Sequence, residues 1–215
     1  MYRHFVKRTL DIVGAILLLP VLGLVSLLVI PMIWLQDKGP ALYIADRLGQ
    51  DQRIFRMYKF RSMRVNAPDL RQADGSTYNA ADDPRLTKIG RLLRATSLDE
   101  LPQLLNVLLG DMSIVGPRPD LPSQLSLYEG EEFEKLSVRP GITGYSQAFH
   151  RNSIDWKERI KLDVYYARNL SLLLDLRILS KTISTVLLRR NVYIPTDASG
   201  NKSENVRMQQ KDKQG

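Results

Sequence analysis

The stretch from Ile12 to Leu35 contains no charged residue, and eighteen of its 24 positions are Leu, Ile, Val, Met or Trp. As a helix it reaches about 36 Å, against a bilayer core of ~30 Å. Burial is worth roughly 1.5–3 kcal/mol per large apolar side chain, so such a run does not stay in water. It predicts a membrane-associated segment within residues 1–37. The run is too long for a cleavable leader, and no small-residue cleavage site follows it. Pro20 lies inside, where it removes a backbone donor and crowds the preceding turn, so a kink is expected there. Arg3, Lys7 and Arg8 precede the run, and Lys38, Arg47 and Arg53 follow it. Balanced basic flanks set no orientation. A helix that enters, kinks at Pro20 and leaves by the same face keeps both flanks in the cytoplasm. A kinked span is the open alternative.

Residues 38–195 are patterned as one further domain. Ala41–Ala45 and Ile54–Met63 predict two strands around a polar turn containing Gly49, with Tyr43, Phe55, Tyr58 and Phe60 suited to a pleated surface. Asn66–Asp83 is polar and predicts a loop. A helix is expected over Leu98–Leu109, stopped by Gly110. Val115–Pro122, with Gly116 and three prolines, predicts an extended stiff loop, and Arg139–Gly144 (RPGITG) a second turn-rich one. Two more helices are expected over Ile154–Arg168 and Leu170–Arg190, the latter closed by Arg189 and Arg190. In it Leu172, Leu176, Leu179, Ile183 and Leu187 recur at helical spacing. That stripe is expected to pack onto the core, with a helix lying in the membrane plane as the alternative. Residues 196–215 are polar and predict a disordered tail. The fold class is therefore α+β and mainly helical: a re-entrant N-terminal helix kinked at Pro20, a small β-hairpin, and several amphipathic helices at the membrane face.

Composition narrows the chemistry. The 215 residues carry 31 basic and 23 acidic side chains, a formal charge of +8, no cysteine and two histidines. Disulfides, thiolate zinc sites and thiol nucleophiles are excluded. His4 and His150 lie far apart, which argues against a histidine-rich zinc site or a Ser-His-Asp triad. The basic excess points to phosphate-bearing partners: nucleic acid, nucleotides or an anionic membrane face.

The densest chemistry lies in Arg94–Pro119, RATSLDELPQLLNVLLGDMSIVGPRP. Ser97 to Glu100 reads as a capping box that opens a helix. Pro102 then falls just past the first turn; the other possible start puts Pro102 at the first helical position. In both cases Asp99 and Glu100 sit at a helix N-terminus, about 100° apart, suited to two different roles. Arg85, Lys88, Arg91 and Arg94 lead into this stretch without an intervening acid, and Lys59 and Arg61 lie in the strand-like KFRSM. Arg118 is held between Pro117 and Pro119, which suits a fixed guanidinium fork. Carboxylates, arginines and stiff loops beside a membrane anchor point to a phosphate site with magnesium, which takes one or two carboxylates plus substrate oxygens.

KFRSM at 59–63, RPGITG at 139–144 and above all TSLDELPQLLNVLLGDMSIVGPRP at 96–119 resemble the bacterial sugar transferase family, the small monotopic phosphoglycosyl transferases. The resemblance runs from Lys7, Arg8 and Asp11 to about Arg190, and is to the members that consist of the catalytic domain alone. It implies transfer of sugar-1-phosphate from a UDP-sugar to undecaprenyl phosphate, with release of UMP, at the start of glycoconjugate assembly. It implies that Asp99 is the nucleophile, forming a phosphosugar–aspartyl intermediate. Glu100 would be catalytic and, with Asp99, a ligand of Mg2+. Lys59, Arg94 and Arg118, flanked by Pro117 and Pro119, would bind substrate. Pro20 matches the helix-breaking proline of a re-entrant helix, although many small members have a serine just before it where this chain has Leu19. The implied place is the cytoplasmic face of the bacterial inner (plasma) membrane, with membrane lipid as a partner, no nucleic acid, and a homodimer as one expected assembly. By analogy of size, the donor would be an acetamido sugar. The rival class is a membrane-anchored basic module for RNA or anionic lipid. It accounts for the charge and the anchor but leaves the paired carboxylates unexplained.

Overall fold

A computed structural model describes residues 2–70, 83–150 and 154–187. Most of the loop expected over Asn66–Asp83, the side chain of Leu187, the helix end at Arg189 and Arg190, and the tail at 196–215 lie outside the described residues.

The apolar run forms one helix, α1 (Lys7–Asp37), led in by a π-helical turn over Tyr2–Val6. At 31 residues it is about 46 Å long. Its helical assignment continues unbroken through Pro20 and Pro31, so the kink expected at Pro20 is not confirmed. Lys7, Asp11, Ala15, Leu22, Val29 and Ile33 are buried along it. Steps of four and seven residues keep these on one narrow stripe, so the helix lies lengthwise against the rest of the protein. The other faces are bare: Leu17, Leu27 and Leu35 are each more than 70% exposed. A soluble core helix would not leave them so, and α1 is long and apolar enough to cross a membrane.

Strands β1 (Leu42–Leu48) and β2 (Ile54–Phe60) form the expected antiparallel hairpin, in a register from Leu42 opposite Phe60 to Leu48 opposite Ile54. The first strand runs further than its sequence pattern suggests and the second ends sooner. Helix α2 (Lys88–Thr96) was not foreseen in the cation-rich approach to the LDE motif. Its N-cap is Thr87, whose Oγ1 accepts from the Gly90 N–H at 2.9 Å, and it buries Ile89, Gly90 and Leu93.

The single helix expected over Leu98–Leu109 is corrected to two pieces. Ser97 does not open a capping box. It adopts φ 59°, and its N–H bonds back to Leu93 and Arg94, closing α2. Leu98–Glu100 form a 3-10 turn, and α3 (Gln103–Leu109) begins after Pro102. Proline has no N–H to continue an α-helix from Leu98, so the turn tightens and restarts. Gly110, at φ 97°, ends α3 as expected.

RPGITG is corrected from loop to strand. β4 (Gly141–Thr143) pairs in parallel with β3 (Ser113–Val115). Three-residue strands are too short to show an alternating pattern. The remaining elements are a short helix α4 (Tyr145–Phe149), α5 (Trp156–Arg168) and α6 (Leu172–Leu187), with 3-10 segments at Pro122–Leu127 and Gly130–Ser137.

On α6 most of the expected stripe does not pack onto the core: Leu172, Leu176 and Ile183 are exposed, and Leu179 alone of the described four is half-buried, against the cluster around Tyr166. The buried face carries Asp175, Ile178 and Thr185 instead. The largest apolar cluster joins α1 to β2, α2 and α3, and two smaller ones gather around Trp156 and Tyr166.

Candidate active site

Four elements converge on one cavity of about 1020 Å³. Asp99 and Glu100 come from the 3-10 turn, Lys59 from the end of β2, Arg94 from the last turn of α2, and Arg118 from the loop after β3. The expected site residues Lys59, Arg94, Asp99, Glu100, Arg118 and Pro119 all line it. Pro117 does not; its carbonyl accepts from the Gly141 N–H at 2.9 Å, so it shapes the loop from behind.

Close backbone approaches hold these elements in place. A Cβ on Gly90 would lie 1.8 Å from the Ser62 carbonyl oxygen, so α2 crosses the end of β2 where only glycine fits. Arg94 Nε reinforces that crossing by donating to Ser62 Oγ at 3.0 Å. On the other side, Gly116 N–H donates to the Thr143 carbonyl at 2.8 Å, and a Cβ on Gly141 would lie 2.0 Å from the Gly116 nitrogen. RPGITG thus braces the Pro117–Pro119 loop that carries Arg118.

Glu100 Oε1 meets Lys59 Nζ at 2.8 Å and Arg118 Nη1 at 3.7 Å. Asp99 is 9% exposed. Burial raises its carboxyl, Lys59 opposes that, Glu100 adds to it, and Arg94 and Arg118 oppose it; the result is a pKa of about 6. The group is desolvated yet ionised at neutral pH, among three cations, which suits a carboxylate that must reach an anionic phosphorus.

The other cations divide by partner. Arg61 is bound by both oxygens of Asp37, at 2.5 Å each, and tethers the end of α1. Arg85 is buried on Asp83 at 2.8 Å. Lys88 and Arg91 are exposed on α2. Gln147, Trp156, Arg159 and Thr182 also line the cavity and were not singled out in the sequence. Their helices arrive from far along the chain, and no local motif marks them.

Among the described residues no group of three or more His, Asp or Glu side chains could cage a metal. Asp99 and Glu100 are adjacent carboxylates on the cavity wall, the donor type that magnesium takes together with substrate oxygens and water.

Residues 2–189 match the family described as bacterial sugar transferase. The chain is 45% identical over 196 residues to the galactosyl transferase CpsE of Streptococcus agalactiae, covering 87% of this chain and 43% of that protein. It is 39% identical over 204 residues to the undecaprenyl-phosphate galactose phosphotransferase of Salmonella typhimurium, covering 88% of this chain and 42% of that protein. The chain therefore spans less than half the length of these two relatives. Against the uncharacterized sugar transferase EpsL of Bacillus subtilis it is 42% identical over 186 residues, covering 86% of this chain and 89% of that protein.

Proposed function

From the premise that the chain belongs to the bacterial sugar transferase family, we propose that it transfers sugar-1-phosphate from a UDP-sugar to undecaprenyl phosphate and releases UMP. The observation that carries this reading is Asp99: a buried carboxylate on a cation-lined cavity, with Lys59, Arg94 and Arg118 all close enough to shift its ionisation.

A carboxylate is a weak nucleophile towards a phosphate diester, so catalysis rests on positioning and charge neutralisation. Lys59, Arg94 and Arg118 hold the anionic oxygens of the pyrophosphate. Asp99 attacks the sugar-bearing phosphorus. An O–P bond forms to its side chain, the bond to the bridging oxygen breaks, and UMP leaves with that oxygen. An oxygen of undecaprenyl phosphate then attacks the same phosphorus. The aspartyl O–P bond breaks, the carboxylate is restored, and the lipid diphosphate sugar is released. Lys59, at 2.8 Å, grips Glu100 and so fixes the second carboxylate beside the first. Magnesium, when bound at Glu100 and Asp99, supplies charge neutralisation at the pyrophosphate.

How α1 is attached supports one membrane arrangement. At its start, Lys7 pairs with Asp175 at 2.7 Å, Arg8 donates to the Val107 carbonyl at 2.7 Å, and Asp11 accepts from Ser113 and Ile114 at 2.9 Å. At its end, Asp37 grips Arg61. Ends on opposite sides of a ~30 Å apolar layer could not both bind one water-facing domain. This supports a monotopic anchor with both ends on one side; the cytoplasmic face of the inner membrane is the side the family reading assigns. The exposed leucines of α6 then belong to the lipid-facing surface, in keeping with an in-plane helix. Single cysteines placed before α1 and after it label from the same side on this reading; opposite-side labelling would overturn it.

The activity test is UMP release from UDP-galactose, UDP-glucose and their two acetamido counterparts, with undecaprenyl phosphate as acceptor. Galactose leads the panel because relatives carry it in their names. Wild type releases UMP with at least one donor. Donor alone gives a burst and a phosphosugar mass adduct at Asp99, and Asp99→Asn abolishes both. A fully active Asp99→Asn variant would remove the nucleophile from the mechanism.

A further inference from the structure

The loop that carries Arg118 runs directly into a buried charge cluster with no place in the transfer steps. Asp120, 6% exposed, follows Pro119. Its carboxylate is paired with Lys135 and accepts from the Tyr128 hydroxyl at 2.7 Å and the Trp156 indole N–H at 3.2 Å. Lys135, itself 2% exposed, also reaches Asp163 at 3.1 Å, and Ser146 donates to Asp163 at 2.8 Å. Two carboxylates thus share one ammonium away from water. Burial pushes the Asp120 carboxyl up, but Lys135 and Tyr128 hold it below the usual carboxylate range.

A buried ion pair of this kind is weak support for stability, since apolar packing would serve as well. What it does supply is a fixed position. The backbone is pinned at the same residue, where the Leu48 N–H donates to the Asp120 carbonyl at 2.9 Å. Upstream, Gly116 and Pro117 are pinned to β4. Pro119 has a fixed φ. The loop is therefore clamped on both sides of Arg118. That guanidinium, in contrast, stands 3.7 Å from Glu100 with a side chain 39% exposed, too loosely held to set its own place.

We propose that Asp120 is a positioning residue for Arg118: its cluster with Lys135 and Asp163 holds the Pro117–Pro119 loop where the guanidinium meets Glu100 and the donor phosphate. This rests on the sugar-phosphate transfer reading.

A double-mutant cycle on the full chain tests it, reading UMP release against concentration of whichever UDP-sugar the wild type uses. Asp120→Asn keeps the shape and leaves Lys135 paired with Asp163. It raises donor KM about tenfold while kcat stays within about threefold. In an Arg118→Ala background, Asp120→Asn adds less than about twofold, because the side chain it acts through is gone. Tyr128→Phe removes one hydroxyl from Asp120 and shifts KM the same way by less; paired with Arg118→Ala it completes a second cycle should Asp120→Asn fail to fold. Equal effects in both backgrounds, or a fall in kcat at constant KM, would show a general structural role and overturn the inference. An Arg118→Ala variant with wild-type kinetics would overturn it together with the phosphate role of Arg118. A wild type silent with every donor would overturn the transfer reading itself.

Discussion

Replacing Asp99, the proposed nucleophile, should stabilise this protein, by an amount the site itself sets. Asp99 is buried, and its carboxyl is raised from the ordinary 3.8 to about 6 despite three nearby cations. Ionising it in the folded state is therefore harder than in the unfolded chain. Each pKa unit is 1.36 kcal/mol, so a rise of that size costs about 3 kcal/mol at neutral pH. Asn has the same shape and no charge to lose. Between the two pKa values the folded protein holds a proton that the unfolded chain has released, so the wild type loses stability as pH rises through about 4 to 6. Asp99→Asn is expected to match wild type below that window and exceed it by the full amount above. For a domain this size the gain is about 2–4 °C per kcal/mol, hence roughly 6–12 °C in the unfolding midpoint. Thermal unfolding in one detergent, at steps from pH 4 to pH 8, measures it. A variant no more stable than wild type at pH 7.5, or equally stabilised at every pH, would refute the idea that the Asp99 carboxylate is held at a cost.

The same carboxyl gives the activity profile its acid limb: turnover should fall as pH drops through about 6, because the protonated acid cannot attack. Lys59→Met removes the largest opposing cation, so that limb should move to higher pH; an unmoved limb would separate Lys59 from Asp99 electrostatics. Gly90→Ala puts a methyl 1.8 Å from the Ser62 carbonyl and should cost roughly 1–3 kcal/mol in denaturant titration, with Arg94 losing its place beside Ser62. EDTA should stop UMP release and added magnesium restore it; full activity in chelator would take Glu100 and Asp99 out of a metal role.

The chain alone was enough for whatever depends on neighbours in sequence. A charge-free run of apolar residues must leave water, so α1 was legible. Alternation and aromatics around Gly49 made the hairpin legible, and Gly110 the end of α3. Asp99 and Glu100 stood out because adjacent carboxylates, arginines and stiff proline loops beside a membrane segment suit a phosphate site. The resemblance of residues 96–119 to a known family supplied their roles.

Tertiary structure alone decided which partner each group takes. Arg61 and Arg85 look in sequence like Lys59, Arg94 and Arg118, but distant or local carboxylates claim them for structure. Three-residue strands carry no periodicity, so the pairing of β3 with β4 rests on glycines from distant segments meeting face to face. The stripe on α6 shows that hydrophobic spacing reports a face that avoids water without saying what covers it. Where lipid can stand in for core, only the packed chain shows that Asp175 and Ile178 turn inward. Local energies set the elements and the candidate chemistry. The long-range contacts that build the cavity around Asp99 are chosen only when the whole chain closes on itself.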